Sequence, residues 1–387
     1  MSMDRTPTTR LHEYRFIKFF RAAAAAWVVV GHCLIWGGWH GLPYRNTKSA
    51  VDLFMMISGC LMVANANRRA LSEPLGSFRG CLSFYLRRYF RIAPVYYLAL
   101  AISMIFVAQS IEGTLSLQSL DPAVWPAGGK YDPSHFRYSL EGVILHVTFL
   151  FGLFPKWSLS SMLPDWSLSL EMQFYAAFPF IYTFVRKARL PVARYWFVGT
   201  LSVGAGYLAE HYANFPEPSL LFLKLHFFLA GMLLAEYLES GRPGALAAAF
   251  ALTLLDAIVR WNFTLMHVIH AAIAPSILGC MVLLGQLEAQ QRTPKFLARI
   301  IGSRVVNFAS DVSYGVYLFH GFFICLCGYL IARSQWLHDL GSFSRFMFIL
   351  TITLVGAYLC GAIVHRTVEL PFIRIGKRVM GNLIRRQ

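Results

Sequence analysis

The chain has 387 residues, of which 57% are hydrophobic and only 14% charged, and its mean hydropathy is +0.52. Soluble domains carry about 25% charged residues, so this composition excludes an ordinary soluble protein. The formal net charge of +16 lies mainly in short segments between apolar runs. That pattern orients membrane helices and is a poor match to a nucleic-acid-binding surface. The seven cysteines show no metal or disulfide spacing.

Ten apolar runs are long enough, or nearly so, to span a bilayer as helices. They are residues 16–36, 50–66, 92–109, 166–186, 193–209, 220–238, 244–259, 265–285, 312–333 and 343–366. Basic segments at both termini and at 67–91, 186–189 and 288–304 set the orientation. We therefore predict an all-α polytopic membrane protein of ten transmembrane helices with both termini in the cytoplasm. The shorter run 140–154 is then expected to be re-entrant or interfacial.

The first helix carries two polar side chains eleven residues apart, Arg21 and His32. Eleven steps of about 100° return to within about 20° of the same face, about 16 Å further along the helix. Ionisable residues are costly inside a membrane unless they have a function. The pair indicates anion binding near one end of the helix and proton chemistry deeper inside.

The second and third helices add a carboxylate and a basic cluster. Asp52 and Gly59 are seven residues apart and share a face, with Ser58 beside them. Ser58 fits helix packing as well as it fits a functional site, and Asp52 fits either a solvated cap or a partner for His32. Further along, the arginine cluster (Arg87, Arg88 and Arg91) could clamp phosphates, although arginines at this position often only orient a helix.

Two later helices carry polar stripes. In the fourth span, Ser167, Glu171 and Tyr175 lie four residues apart on one face, and Gln173 lies on another. Two such stripes predict that this helix, which begins at Trp166, lines a polar cavity.

In the ninth span, Ser313, Tyr317 and His320 share one face in the cytoplasmic half. The predicted topology places His32, Asp52 and Glu171 in the outer half of the membrane, where they should converge. His267 and His270 have a helical spacing that could suit a metal, but no third ligand accompanies them, so we expect no metal.

In the order and spacing of these motifs, the chain resembles acyltransferase family 3, the bacterial membrane O-acyltransferases of ten-span architecture. The matching elements are Arg21-x10-His32, Val51-Asp52-Leu53-Phe54, Ser58-Gly59, Arg87 through Pro94, Trp166 through Tyr175, Ser313 through His320 and Glu369-Leu370-Pro371. Ala50 and Met172 depart from the family's usual glycine and second glutamate. We expect one domain over residues 1–387, with a motif-bearing core at 16–371 and no soluble domain.

The resemblance implies acyl-CoA, most commonly acetyl-CoA, as donor and a hydroxyl on a free or lipid-linked glycan as acceptor, in a bacterial inner membrane. It implies three groups of site residues. The catalytic residues would be His32 as general base, assisted by Asp52 and Glu171. The donor-binding residues would be Arg21, Arg87, Arg88, Arg91, Ser313, Tyr317 and His320, and the acceptor-binding residues Ser58, Trp166, Ser167, Gln173 and Tyr175.

Two alternatives stay open at this point. His32 could instead help to form a transient acyl-enzyme. A transporter or flippase for a lipid-linked sugar would also line a pathway with buried polar residues, but it would show two matching halves with broken helices, and the sequence has no such halves. A membrane scaffold would leave the intramembrane charges without a role.

Overall fold

The computed structural model describes residues 15–40, 46–126, 131–132, 136, 138–187, 191–259 and 264–385, which contain helices and no strands. The helices are α1 (Arg15–Trp36), α2 (Lys48–Arg68), α3 (Phe78–Ile105), α4 (Val107–Ser119), α5 (Leu140–Val147), α6 (Trp166–Arg186), α7 (Pro191–Ala213), α8 (Leu225–Ser240), α9 (Pro243–Val259), α10 (Leu265–Ala289), α11 (Lys295–Ile301), α12 (Arg304–Asp311), α13 (Ser313–Ala332), α14 (Gln335–His338), α15 (Ser342–Val364) and α16 (Leu370–Arg385). The basic residues before 15, after 385 and at 188–190 lie outside the described residues.

Each of the ten apolar runs contains a helix, so the all-α prediction is confirmed. By length and hydropathy, five of the described helices are able to cross a membrane singly: α1, α2, α10, α13 and α15. The third run forms the pair α3–α4, which bends by 76° and would make a sixth span. The chain is therefore a multi-pass membrane protein.

The helices α2 and α8 pack with their backbones in contact. A Cβ atom added at Gly59 would lie 2.0 Å from the carbonyl oxygen of Phe228, and one at Gly231 would lie 1.9 Å from that of Met56. Only glycine permits such an approach, a common device in membrane helix packing. Residues 225–235 of α8 are all buried, so α8 is a central helix of the bundle.

The stretch just before α6 is mostly buried although it is not a long helix. The eight residues of α5 span about 12 Å, well short of the about 30 Å of a bilayer core. Two short 3-10 turns follow, and then Ser158, Ser160, Ser161 and Asp165 are each at most 5% exposed. Irregular backbone at this depth needs protein around it. Consequently α6 begins inside the protein, at Trp166.

Candidate functional site

The helices α1 and α13 lie side by side and are joined by two side-chain contacts. Arg21 Nη2 donates to Ser313 Oγ at 3.2 Å, and His32 Nδ1 lies 2.8 Å from His320 Nε2. Because the contacts follow the same order along both helices, α1 and α13 run in the same direction. The shared face predicted for Arg21 and His32 is confirmed, since both side chains reach one partner helix.

A cavity of about 880 Å³, counted with its open mouth, lies beside Arg21. Its polar lining consists of Arg21, Ser58, Arg88, Arg91, Ser167, Glu171, Tyr175, Ser313, Tyr314 and Tyr317. Its apolar lining includes Val51, Phe54, Met55, Ile57, Leu61, Met62, Ile92 and Phe228. Small-molecule sites usually have this mixed polar and apolar character.

Three arginines face this cavity without a carboxylate partner. Among the described residues, Arg21, Arg88 and Arg91 take part in no ion pair. The guanidinium of Arg88 lies over the ring of Tyr175, 5.5 Å from its centroid, and its Nε has no hydrogen-bond partner in the described part of the chain. Three cations against the single lining carboxylate of Glu171 make the cavity electropositive, which suits an anionic ligand.

Arg87 behaves differently from its neighbours in the cluster. It pairs with Glu73, with Arg87 Nη1 donating to Glu73 Oε1 at 3.0 Å, and it does not line the cavity. Arg69 also pairs with Glu73, at 3.5 Å. Arg87 therefore differs from Arg88 and Arg91, because its charge is balanced by a loop carboxylate.

Glu171 is held at the cavity wall by two hydroxyl groups. Ser58 Oγ donates to Glu171 Oε1 at 2.8 Å, and the Tyr175 hydroxyl donates to the same oxygen. Glu171 and Tyr175 are thus in contact on one face of α6, and Ser58 of α2 joins them. Glu171 lies in the cavity that the arginines line and makes no hydrogen bond with His32 among the described residues.

Asp52 is bonded to a lysine and not to His32. Lys224 Nζ donates to Asp52 Oδ1 at 2.7 Å, just before α8. Close by, Lys48 pairs with Glu217 at 3.3 Å, and the Tyr131 hydroxyl donates to Glu217 at 2.5 Å. Burial and the neighbouring Glu217 carboxylate raise the pKa of Tyr131, so this phenol stays protonated. The N-terminal end of α2 therefore carries a charged network with balanced signs.

The remaining residues predicted to bind the acceptor are Ser167, Gln173 and Trp166, and only Ser167 lines the cavity. Ser167 Oγ lies 2.7 Å from the Tyr317 hydroxyl, and this contact joins α6 to α13 at the cavity wall. Gln173 instead binds backbone, donating to Ser219 O at 2.8 Å and accepting from Leu221 N at 2.9 Å. Trp166 is half-buried against the core. Gln173 of α6 thus packs against the segment before α8 and holds its backbone by hydrogen bonds.

His320 is paired with His32 and does not line the cavity. Their rings are nearly parallel, with centroids 5.0 Å apart, and His320 Nδ1 lies 2.6 Å from the Tyr317 carbonyl oxygen. His32 does not line the cavity either, and the role predicted for His320 in donor binding stays a prediction. The Tyr317 ring, which lines the cavity, lies 5.9 Å from the His320 ring and connects the two parts of the site.

A second histidine cluster lies near the start of α6. His146 Nδ1 lies 2.7 Å from the Tyr96 hydroxyl, and His146 Nε2 lies 2.9 Å from Ser160 Oγ. Asp165 Oδ2 accepts from Tyr96 at 3.0 Å and from Ser161 at 2.9 Å. All of these side chains are buried.

Sequence reasoning missed three polar residues around the site. Tyr314 lines the cavity and donates to Ile92 O at 3.0 Å. Glu369, 5% exposed, accepts from His365 at 2.8 Å and is close enough to Arg21 to interact electrostatically. Lys224 is the partner of Asp52. Tyr314 and Glu369 lie within quoted motifs, which was the available signal, whereas nothing in the sequence singles out Lys224.

Comparison with known proteins identifies a family and two relatives. A family model described as an acyltransferase domain matches residues 14–362. The exopolysaccharide production protein ExoZ of Rhizobium meliloti (strain 1021) is 25% identical over 342 residues, covering 87% of this chain and 93% of its own. The acyltransferase MdmB of Streptomyces mycarofaciens is 23% identical over 359 residues, covering 85% and 82%. No solved structure matches the chain.

A helical membrane bundle with an electropositive cavity and an adjacent histidine pair thus defines the class of protein as a membrane-bound transferase. The chain belongs to the acyltransferase domain family, acyltransferase family 3, whose model covers nearly its whole length.

Proposed function

We propose that this enzyme transfers an acyl group, in the first instance acetyl, from acyl-CoA to a hydroxyl group of a sugar or glycan. One observation carries the proposal. The same pair of helices holds Arg21 beside an electropositive cavity and, further along, His32 against His320. Anion binding and proton transfer are the two tasks that acyl transfer from CoA requires.

The cavity supports binding of the donor. Arg21, Arg88 and Arg91 are the residues that would hold the phosphates of CoA, since planar guanidinium groups match phosphate oxygens. Ser313 holds the Arg21 side chain toward the cavity. The apolar lining by Val51, Phe54 and Met55 suits the pantetheine arm and a short acyl chain.

His32 is the proposed general base. It would take the proton of the acceptor hydroxyl as that oxygen attacks the thioester carbon, and CoA leaves as the thiol once it is protonated. The contact between Ser167 and Tyr317 lies where the cavity approaches the histidine pair, so these hydroxyls would orient the thioester. Glu171 would fix Ser58 and Tyr175 in the cavity wall, and Asp52 with Lys224 would form the acceptor's side of the site.

The relatives support a glycan acceptor. ExoZ is named an exopolysaccharide production protein, and MdmB is named an acyltransferase. A sugar hydroxyl needs a base to become a good nucleophile near neutral pH, which agrees with a histidine at the reaction centre.

The proposed topology has ten spans within a single domain, with α3 and α4 forming one span and α5 not crossing. Both termini would face the cytoplasm of a bacterial inner membrane. Because α1 and α13 then run outward, Arg21 would lie near the cytoplasmic supply of acyl-CoA and His32 closer to the outer face. The reaction requires acyl-CoA as co-substrate, and the proposal includes no metal.

The experiment that tests this proposal uses purified protein in nanodiscs. Binding of radiolabelled acetyl-CoA and release of free CoA are measured for the wild type, Arg21→Ala and His32→Ala. We expect Arg21→Ala to lose binding and His32→Ala to bind without releasing CoA. A wild-type protein that binds no acetyl-CoA would contradict the proposal.

A further inference from the structure

The hydrogen-bond partners of His320 determine which of its nitrogens carries a hydrogen. His320 Nδ1 lies 2.6 Å from the Tyr317 carbonyl oxygen, which can only accept. Nδ1 must therefore be the donor in this contact. In a neutral imidazole the other nitrogen, Nε2, then carries the lone pair.

The same reasoning passes from His320 to His32. His32 Nδ1 lies 2.8 Å from His320 Nε2, so His32 Nδ1 must be the donor and His32 Nε2 must carry the lone pair. Within the described part of the chain, His32 Nε2 has no hydrogen-bond partner, and the His32 side chain keeps accessible surface. His320 is only 1% exposed. Of the two rings, only His32 offers a basic nitrogen to a substrate.

We propose that His32 and His320 form a two-histidine proton relay, an inference that rests on the proposed acyl transfer. His32 Nε2 takes the hydroxyl proton while the new oxygen–carbon bond forms. The hydrogen on His32 Nδ1 then moves to His320 Nε2, which leaves His32 neutral and His320 positively charged. When the carbon–sulfur bond breaks, His32 Nε2–H protonates the CoA sulfur and His320 Nε2 returns its hydrogen to His32 Nδ1. No net proton is gained or lost.

The surroundings of His320 suit this role. As a cation it would still donate from Nδ1 to the Tyr317 carbonyl, and a hydrogen bond from a charged donor is about twice as strong as a neutral one. Both carboxylates that the sequence suggested as partners of His32 are bonded elsewhere, Asp52 to Lys224 and Glu171 to Ser58. His320 is consequently the group positioned to take a proton from His32.

Two substitutions separate a relay from simple orientation of the ring. In His320→Gln, the amide oxygen near the former Nε2 position still accepts from His32 but cannot take up its proton. His320→Leu removes the acceptor as well. CoA release is measured with acetyl-CoA as donor and with water or added glucose oligosaccharides as acceptor, alongside the Kd for acetyl-CoA.

A relay predicts that His320→Gln lowers kcat by about 10²-fold, within the range for general acid–base catalysis, while the Kd for acetyl-CoA changes less than about two-fold. His320→Leu should be at least as impaired. If His320→Gln keeps wild-type kcat, the relay is overturned and His320 only orients its neighbour. His226→Gln is the matched control because His226 is 0% exposed and neither of its nitrogens has a partner among the described residues. It should keep wild-type kcat.

A second measurement does not depend on turnover. In protein labelled with ¹⁵N-histidine, solid-state NMR of the resting state should report hydrogens on Nδ1 of both rings and unprotonated Nε2. Signals are assigned by their loss in His32→Ala and in His320→Gln. A hydrogen on His32 Nε2 would contradict the relay even if the enzyme is active. Correct tautomers without any acetyl-CoA turnover in the wild type would instead contradict the proposed function.

Discussion

Two buried histidine clusters in this chain use similar side chains and differ in how completely they are bonded. Around His146, both ring nitrogens have partners, namely Tyr96 at 2.7 Å and Ser160 at 2.9 Å, with Asp165 3.4 Å from Nδ1. Around His32, only Nδ1 has a hydrogen-bond partner among the described residues, and that partner is a second histidine.

The difference separates a structural cluster from a chemical one. A histidine with both nitrogens engaged has no lone pair for a substrate, however much its neighbours resemble a Ser–His–Asp triad. Its hydrogen bonds fasten the buried segment before α6 to Tyr96 of α3. A histidine with one unbonded nitrogen near a cavity contributes one hydrogen bond fewer to the stability of the fold, and its lone pair stays available as a base. The comparison predicts opposite effects of mutation in the two places.

The largest expected effect is on catalysis at His32. His32→Ala should lower CoA release by about 10²–10⁴-fold, because the general base is lost. Acetyl-CoA binding should persist, since the arginines are untouched. Paired measurements of kcat and Kd in nanodiscs check this. If His32→Ala kept wild-type turnover, the assignment of the His32 cluster as the chemical one would be wrong.

At His146 the larger effect should be on stability. His146→Ala removes two buried hydrogen bonds and the stacking of His146 on Phe151, 4.2 Å away. Leaving buried polar groups without partners costs about 1–3 kcal/mol each, so unfolding in detergent should shift to clearly lower temperature. Acetyl-CoA binding per folded molecule should stay near the wild-type value. A variant as stable as the wild type would contradict the structural role.

The comparison extends to two kinds of arginine: Arg21 of α1 lines the cavity without an ion pair, whereas Arg87 of α3 is paired with Glu73. Arg21→Ala should weaken acetyl-CoA binding by about 10–100-fold, the value of one or two charge-assisted hydrogen bonds of about 1.5–3 kcal/mol. Arg87→Ala is the matched control, because Arg87 is paired with Glu73 and does not line the cavity. Its loss of affinity should be smaller. Equal losses, measured by titration with radiolabelled acetyl-CoA, would count against the cavity as donor site.

The smallest effect is expected at Ser160, which lies 2.9 Å from His146 Nε2 and donates to Trp157 O at 2.8 Å. Ser160→Ala should cost about 1 kcal/mol of stability, the usual value of a buried hydrogen bond. CoA release should be unchanged. If it fell to the level of His32→Ala, Ser160 would be acting as a nucleophile and the second cluster would be catalytic.

Helical periodicity was enough to predict an all-helical membrane protein and the common face of Arg21 and His32, because both follow from the geometry of single helices. It could not predict the partner of His32. That partner depends on which helix packs beside α1, and His320 lies 288 residues away.

The surroundings of two other residues could not be predicted from the sequence, for local reasons. Arg87 and Arg88 are adjacent in sequence, and only the position of Glu73 in the folded loop decides which of them is neutralised. Glu171 was expected near the outer surface because α6 was taken to start there. The stretch before Trp166 is mostly buried, so α6 begins inside the protein, and short polar segments of this kind carry no periodic signal.

The unpaired arginines have a consequence for how the proposed enzyme would respond to the cell. Phosphates are the part of acyl-CoA that the reaction leaves unchanged, so Arg21, Arg88 and Arg91 would hold the spent carrier about as tightly as the charged one. Free CoA would then compete for the same cavity. The rate of acylation would follow the cytoplasmic ratio of acyl-CoA to CoA, which ties surface glycan modification to the metabolic state of the cell.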